Sequence, residues 1–285
     1  MDSKRRPDVL IAGHGDLGGA IGRQLAATGL SVLGLRRSKR SHDDGIAVLT
    51  ADVTRPETLA CLDGADPRIL VYCVAADAPN DDNYRLQYVD GLRHVLAALN
   101  QAGNLGHVFF VSSTRVYGQA GDGMLTESDP AIPADFGGER LLEAERLLAG
   151  LSCGHTALRL SGIYGPGRER MLSLAGCAEK WPQNSWSNRI HRDDAAAFVV
   201  HLIGRVLNGA MIEDCYIVTD SCPVPQHEVL RWLAGRMGHA SGPASPPAPS
   251  GGKRLSNARM LASGFQLHYA NYRDGYAALL RQAAR

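Results

Sequence analysis

Three glycines near the start of the chain stand in the run Val9-Leu10-Ile11-Ala12-Gly13-His14-Gly15-Asp16-Leu17-Gly18. The spacing of Gly13, Gly15 and Gly18 is G-x-G-x-x-G, and its use depends on context. After a strand and before a helix, the first glycine permits the tight turn and the second lets the backbone approach a pyrophosphate. The third lets the helix lie close to the strand. The helix start, through Asp16, Leu17 and Gly18, then offers backbone N–H groups and the positive end of the helix dipole to the phosphates. The chemistry is dinucleotide binding. A plain tight turn is the alternative, and the apolar run before the glycines together with the amphipathic stretch after them argues against it. His14 and Asp16 are expected at the loop surface.

The next informative residues follow the second apolar run, Val32-Leu33-Gly34-Leu35-Arg36-Arg37-Ser38. A site selective for NAD carries an acidic residue near this position, bonded to the ribose hydroxyls. Here two guanidiniums and a hydroxyl stand instead. Arginine makes forked, charge-assisted hydrogen bonds to phosphate, so a 2′-phosphate fits and NADP is the favoured cofactor, with NAD the alternative. Asp52, after the third apolar run, is a candidate contact to the adenine amino group. Arg36 and Arg37 are the candidate contacts to the 2′-phosphate.

These residues need a scaffold. Strands are expected at 8–12, 30–35, 46–50, 69–75, 107–112, 156–160 and 215–218, with helices at 18–28, 84–102 and 138–148. Continuous apolar strands alternating with helices predict an α/β fold, a doubly wound parallel sheet covered on both faces. Residues 1–165 are expected to form the dinucleotide-binding domain, with the sheet completed by 187–220. Residues 166–186 and 221–285 make a reduced substrate-side portion. The Pro-rich stretch from Gly242 to Gly252 is expected to be an exposed loop, because its composition cannot build a core.

Bulk properties exclude several classes. The chain has 285 residues, 45 % hydrophobic and 21 % charged, with a net charge of +1. No strong field favours nucleic acid or a membrane surface. The basic runs are Lys4-Arg5-Arg6 and the stretch from Arg36 to Arg40, and the first reads as a solvated tail. Six cysteines show no CxxC pair, no disulfide framework and no metal-ligand spacing, so no metal is expected. Cys73 lies in an apolar run and reads as a buried small hydrophobe. Without a signal segment or a membrane-length apolar run, the reading is a reduced, cytoplasmic protein with a small-molecule substrate.

The second half carries more specific signals. Val111-Ser112-Ser113-Thr114-Arg115-Val116-Tyr117-Gly118 resembles the SSxxVYG segment of the extended short-chain dehydrogenases/reductases, the NAD-dependent epimerase/dehydratase type. Glu127-Ser128-Asp129-Pro130 with Pro133 resembles the stretch that follows it. Arg159 to Gly167, with Tyr164 inside, resembles RxxxxYGPG, and Ile190-His191-Arg192-Asp193-Asp194 and Tyr216-Ile217-Val218-Thr219-Asp220 resemble two later motifs. The motifs run in family order over nearly the whole chain. The resemblance implies a Rossmann-type fold, a nicotinamide cofactor and a Ser113 that hydrogen-bonds the substrate oxygen. It also implies that Ser112, Thr114, Arg159, Tyr164 and His191 line the substrate, and that two copies pair through the helices at 84–102 and 138–148.

Departures from the pattern bear on catalysis. The resemblance implies a Tyr-x-x-x-Lys pair after Pro133, where this chain reads Phe136-Gly137-Gly138-Glu139-Arg140. Phe136 has no proton to exchange. Arg140 keeps the charge and could hold a ribose hydroxyl. Tyr88 stands where an asparagine is expected, and the chain is short after Gly167. Two readings follow. One is an enzyme whose acid/base has moved to Tyr117, at the end of the fifth strand, with Arg140 stabilising the phenolate. His191 is a second acid/base candidate, although a structural or substrate-lining place suits it better. The other reading is a catalytically silent NADP-binding sensor or partner subunit.

Overall fold

The computed structural model describes residues 6–38, 45–99, 103–121, 123–239, 242 and 245–283. Lys4, Arg5, Lys39 and Arg40 of the two basic runs, and residues 100–102 of the expected helix, lie outside the described residues.

Seven strands form one sheet: β1 (Val9–Ala12), β2 (Val32–Arg36), β3 (Ala47–Thr50), β4 (Ile69–Tyr72), β5 (His107–Ser113), β6 (Gly154–Leu160) and β7 (Cys215–Val218). Their order is β7-β6-β5-β4-β1-β2-β3. The pairs β1–β2, β2–β3, β1–β4 and β4–β5 are parallel, with Val9 opposite both Val32 and Ile69. The reason is in the residues: β1 and β4 read Val-Leu-Ile-Ala and Ile-Leu-Val-Tyr and are buried at every position, which only a sheet covered on both faces allows. The chain runs outward from β1 through β2 and β3, then returns to β4 on the other side of β1. A crevice for a ligand is therefore expected beyond the carboxyl ends of β1 and β4.

Helix α1 (Asp16–Ala27) follows β1. The long helix after β4 is not uniform. It comprises α2 (Asp81–Tyr84), a π-helical turn (Arg85–Asp90) and α3 (Gly91–Ala98). The periodic pattern expected from residue 84 therefore starts three residues earlier and contains a wide turn that periodicity alone does not show. Helix α4 spans Phe136–Leu148 and is capped by Asp135, whose carboxylate accepts from the Gly138 N–H at 2.9 Å.

Two compact units divide the chain. The first holds 1–118, 131–159 and 196–216. The second holds 119–130, 160–195 and 217–285. Within the second, short strands pair at 162–164 with 189–191, at 186–187 with 224–225 and at 124–125 with 254–255. The last pairing draws 119–130 into this unit, although sequence order had set it with the nucleotide-binding portion. The unit has its own core of Tyr164, Ala175, Val229, Leu230, Leu233, Tyr272 and Tyr276. Residues 242 and 245–252 of the Pro-rich stretch are half-buried or exposed, and the stretch is tethered: Asn184 Nδ2 donates to the Pro247 carbonyl at 2.7 Å and Trp186 N–H to the Gly251 carbonyl at 2.8 Å. Among the described residues no helix is long and apolar enough to cross a membrane. No disulfide joins the six cysteines, and Cys73 is half-buried rather than buried because β4 ends one residue before it.

Candidate functional site

The glycine turn is built as its spacing requires. Gly13 has a φ of 96°, and a Cβ there would collide with the Cys73 carbonyl. A Cβ on Gly18 would collide with the Gly13 carbonyl. Both glycines are therefore demanded by backbone packing. Gly15 differs: a Cβ there meets nothing within 4 Å. No protein atom fills the space, which is what a phosphate cradle needs. Gly15 is the N-cap of α1 and no side chain caps that helix, so the first turn of α1 presents its backbone to the open space in front of Gly15. His14 does not lie at the loop surface. It is buried between α1 and β2, where a Cβ on Gly22 or Gly34 would collide with its ring. Those two glycines are its seat, which explains their presence inside a helix and a strand.

The end of β2 carries the two arginines. Arg36 is half-buried, and its Nε has no hydrogen-bond partner among the described residues. Arg37 is engaged: its two terminal nitrogens fork onto Asp77 at 2.5 and 2.6 Å, and Gln87 donates to the same carboxylate. Asp52 uses one carboxylate oxygen to accept from the Thr54 N–H and hydroxyl.

On the other flank of the switch point, the strand-end residues of β5 are brought together with α4 and β6. Ser112 Oγ donates to Glu145 at 2.5 Å. Ser113 Oγ accepts from the Arg115 N–H, capping the short 3₁₀ turn 114–116. Thr114 is buried in that turn. Tyr117 is fully buried, and its hydroxyl accepts from Arg159 Nη1 at 2.5 Å. Arg159 also grips Glu145 through Nε and Nη2, and its guanidinium lies over the Tyr117 ring at 4.9 Å. Arg140 points all three guanidinium nitrogens at carboxylates, Asp81 at 2.7 and 2.9 Å and Glu143 at 2.7 Å. Phe136 contacts Tyr84 edge-on, with ring centroids 5.4 Å apart.

Tyr164 and His191 belong to the second unit. They meet edge-to-face at 5.2 Å, and Tyr164 stacks on Tyr276. His191 is buried, its Nδ1 accepts from the Asp193 N–H, and burial lowers its pKa. The same unit holds a buried carboxyl that the motif reading named only as the end of a strand. Asp220 accepts from the Cys222 N–H, but its other oxygen has no partner among the described residues. Burial pushes its pKa up to about 7, against the pull of Arg189 and with Asp194 adding repulsion. A carboxyl raised in this way is stabilising in its protonated form. The benefit is full below the ordinary value near 3.8 and is lost as pH rises through about 7. Asp220→Asn is therefore expected to raise stability at pH 8 by an amount on the order of 1 kcal/mol or more, and to change little at pH 4. Thermal melts of both proteins at the two pH values check it, and an equal shift at both would refute the assignment.

Several site residues carry no motif of their own. Arg115, Asp135, Glu145, Asp77 and Tyr84 were not singled out as site residues by the sequence. The one available signal was Gly137-Gly138, since a Cβ on Gly137 would strike the Arg115 guanidinium and one on Gly138 the Arg115 carbonyl.

An uncapped helix start behind an open glycine turn, at the switch point of a parallel sheet, defines a dinucleotide-binding protein of the Rossmann type. The chain belongs to the NAD(P)H-binding family, whose model matches residues 12–205. A Methylobacillus flagellatus protein provisionally described as an NAD-dependent epimerase/dehydratase is 51 % identical, with a TM-score of 0.89 over 98 % of this chain and 99 % of that one. The UDP-glucose 4-epimerase of Thermus thermophilus, solved with NAD, has the same fold at 20 % identity, TM-score 0.75, over 95 % of this chain and 96 % of that one. Bordetella bronchiseptica WbmG, solved with NAD and UDP, matches at 17 % identity, TM-score 0.78, over 97 % and 94 % of the two chains. No curated protein matches the chain. The resemblance to extended short-chain dehydrogenases/reductases of the epimerase/dehydratase type thus stands.

Proposed function

We propose that the protein is an NADP-dependent enzyme acting at a carbonyl or hydroxyl carbon of a small molecule, with nucleotide sugars the first substrate class to examine. The observation that carries the NADP reading is Arg36. It ends β2 where an NAD-selective site would place a carboxylate, and its Nε is buried with no partner among the described residues. A 2′-phosphate oxygen would supply the missing acceptor. Arg37 can join only if Asp77 releases it.

The bound nicotinamide would supply or accept hydride. The chain's own residues bind and orient. The α1 N-terminus holds the pyrophosphate, and Ser113, whose Oγ accepts from Arg115, keeps its proton for a substrate oxygen. Tyr117 is a positioning residue on this geometry, because its buried phenol is locked by Arg159, which Glu145 holds in turn. Arg140 braces α4 against α2 through Asp81, and reaches a ribose only by leaving that pair.

Calorimetric titration tests the cofactor assignment. NADP is expected to bind roughly tenfold or more tightly than NAD, and Arg36→Ala to remove that preference while leaving NAD binding in place. Equal affinities that Arg36→Ala does not change would overturn it. A screen of carbonyl compounds and nucleotide sugars, read by nicotinamide absorbance, supplies the substrate.

A further inference from the structure

With phenylalanine at position 136, a proton for the substrate must come from another group on the nicotinamide half of the crevice. The adenosine half lies toward β2 and β3, where Arg36 and Asp52 stand. The other half therefore runs toward the carboxyl ends of β4 and β5. Four phenols stand there among the described residues. Tyr72, the last residue of β4, is fully buried and already donates its proton to the Gln87 carbonyl. Tyr117 is fully buried on Arg159. Tyr88 accepts from the Ala76 N–H in the loop after β4, and burial raises its pKa. Tyr84 is half-buried, and its hydroxyl accepts from Arg115 Nη1 at 2.7 Å, which leaves its own proton to give.

The surroundings of Tyr84 are built. Arg115 follows β5 directly, and its guanidinium lies 5.1 Å from the Tyr84 ring centroid and 5.3 Å from that of Phe136. Asp135 holds it through Nε at 2.9 and 3.0 Å, and that carboxylate is itself fixed as the cap of α4. Gly137 and Gly138 have no side chain because Arg115 occupies the space. The π-helical turn after Tyr84 brings Tyr84 and Tyr88 to 5.2 Å. Such turns interrupt a regular helix and are frequent at functional sites.

We propose that Tyr84, with Arg115 as its fixed charge partner, is the proton donor and acceptor of this enzyme, in the place of a phenol at position 136. The proposal rests on the nucleotide reading above. In the reducing direction, with hydride arriving at the carbonyl carbon from the reduced nicotinamide, the carbonyl π pair moves to oxygen. That oxygen takes the proton from Tyr84 Oη. The pair of the broken O–H bond stays on Oη as phenolate, facing the Arg115 guanidinium, and water returns a proton afterwards. Oxidation of a hydroxyl runs the same transfers in reverse. A preorganised cation at the oxygen where charge develops is the arrangement that lowers such a barrier.

Nitration by tetranitromethane, mapped by mass spectrometry on the full chain, places Tyr84 independently of turnover. Saturating NADP⁺ is expected to suppress nitration of Tyr84, and 2′-phospho-ADP-ribose, which lacks the nicotinamide, to leave it unprotected. Tyr84→Phe should bind NADP⁺ as tightly as wild type. With a substrate from the screen it should lose kcat by roughly a hundredfold at little change in KM. Tyr84→Phe with Phe136→Tyr should recover part of that loss. Calorimetric binding of NADP⁺ without protection of Tyr84, or equal protection by 2′-phospho-ADP-ribose, overturns the Tyr84 assignment alone. Failure of NADP⁺ to bind at all overturns the nucleotide reading and this one with it.

Discussion

Gly15→Val is expected to abolish dinucleotide binding while the protein stays folded. The two halves of that result have separate causes. A Cβ at Gly15 meets no protein atom within 4 Å, so no atom of the described residues blocks the substitution. The space it fills is the space the phosphates need, in front of N–H groups that no side chain caps. Affinity should fall by about a hundredfold or more, beyond the reach of an ordinary titration. Gly18→Val is the contrasting case. Its side chain would collide with the Gly13 carbonyl, so that variant is expected to lose the fold along with the binding. Calorimetry and circular dichroism on both variants separate the causes. A folded Gly15→Val protein that still binds would place the nucleotide elsewhere.

The second large effect concerns stability. Glu145→Ala is expected to destabilise the first unit by about 3–5 kcal/mol, because it leaves a buried guanidinium without its counter-charge. The side chains of Arg159 and Glu145 are 11 % and 8 % exposed. Glu145 also accepts from Ser112, so one substitution strands two donors. A fall in Tm on the order of 10 °C follows for a chain of this size. Glu145→Leu with Arg159→Met should recover much of the loss, since paired apolar groups of similar volume carry no buried charge. A single variant that melts within about 2 °C of wild type would show that the pair contributes little. Tyr117 is tied to the outcome, because Arg159 Nη1 is the donor that fixes its hydroxyl. Loss of Glu145 should therefore disturb the strand-end wall beside Ser113 as well.

Much of the scaffold was legible in the residues. The β1 and β4 runs are apolar at every position, and that pattern needs no distant partner to be read as a strand covered on both faces. The glycine turn was legible for a similar reason, since Gly13, Gly15 and Gly18 lie within six residues and act through local backbone. Arg36 and Arg37 were legible as candidate phosphate contacts by type and position. Nothing local, however, separates the arginine with an unpartnered Nε from the one that Asp77 holds, 40 residues away. His14 was placed at the surface because a polar residue in a glycine loop is usually exposed. Gly22 and Gly34, which make room for it, are 8 and 20 positions further on. The buried state of Asp220 was invisible for the same reason.

The sequence by itself determined that this chain folds as a parallel α/β sheet around a dinucleotide cradle, and that position 136 holds no acid or base. Those properties depend on residue type, on short spacings and on periodicity, all of which act within one or two elements. Tertiary structure alone decided which phenol meets which guanidinium. Tyr84 and Arg115 are 31 residues apart, and Tyr117 and Arg159 are 42 apart. They meet because the chain crosses from β3 to β4 and lines up β4, β5 and β6 side by side, so that residues at successive strand ends become neighbours. A sheet order brings about such contacts only after it has formed. No local propensity distinguishes a buried tyrosine locked by a guanidinium from one left half-exposed.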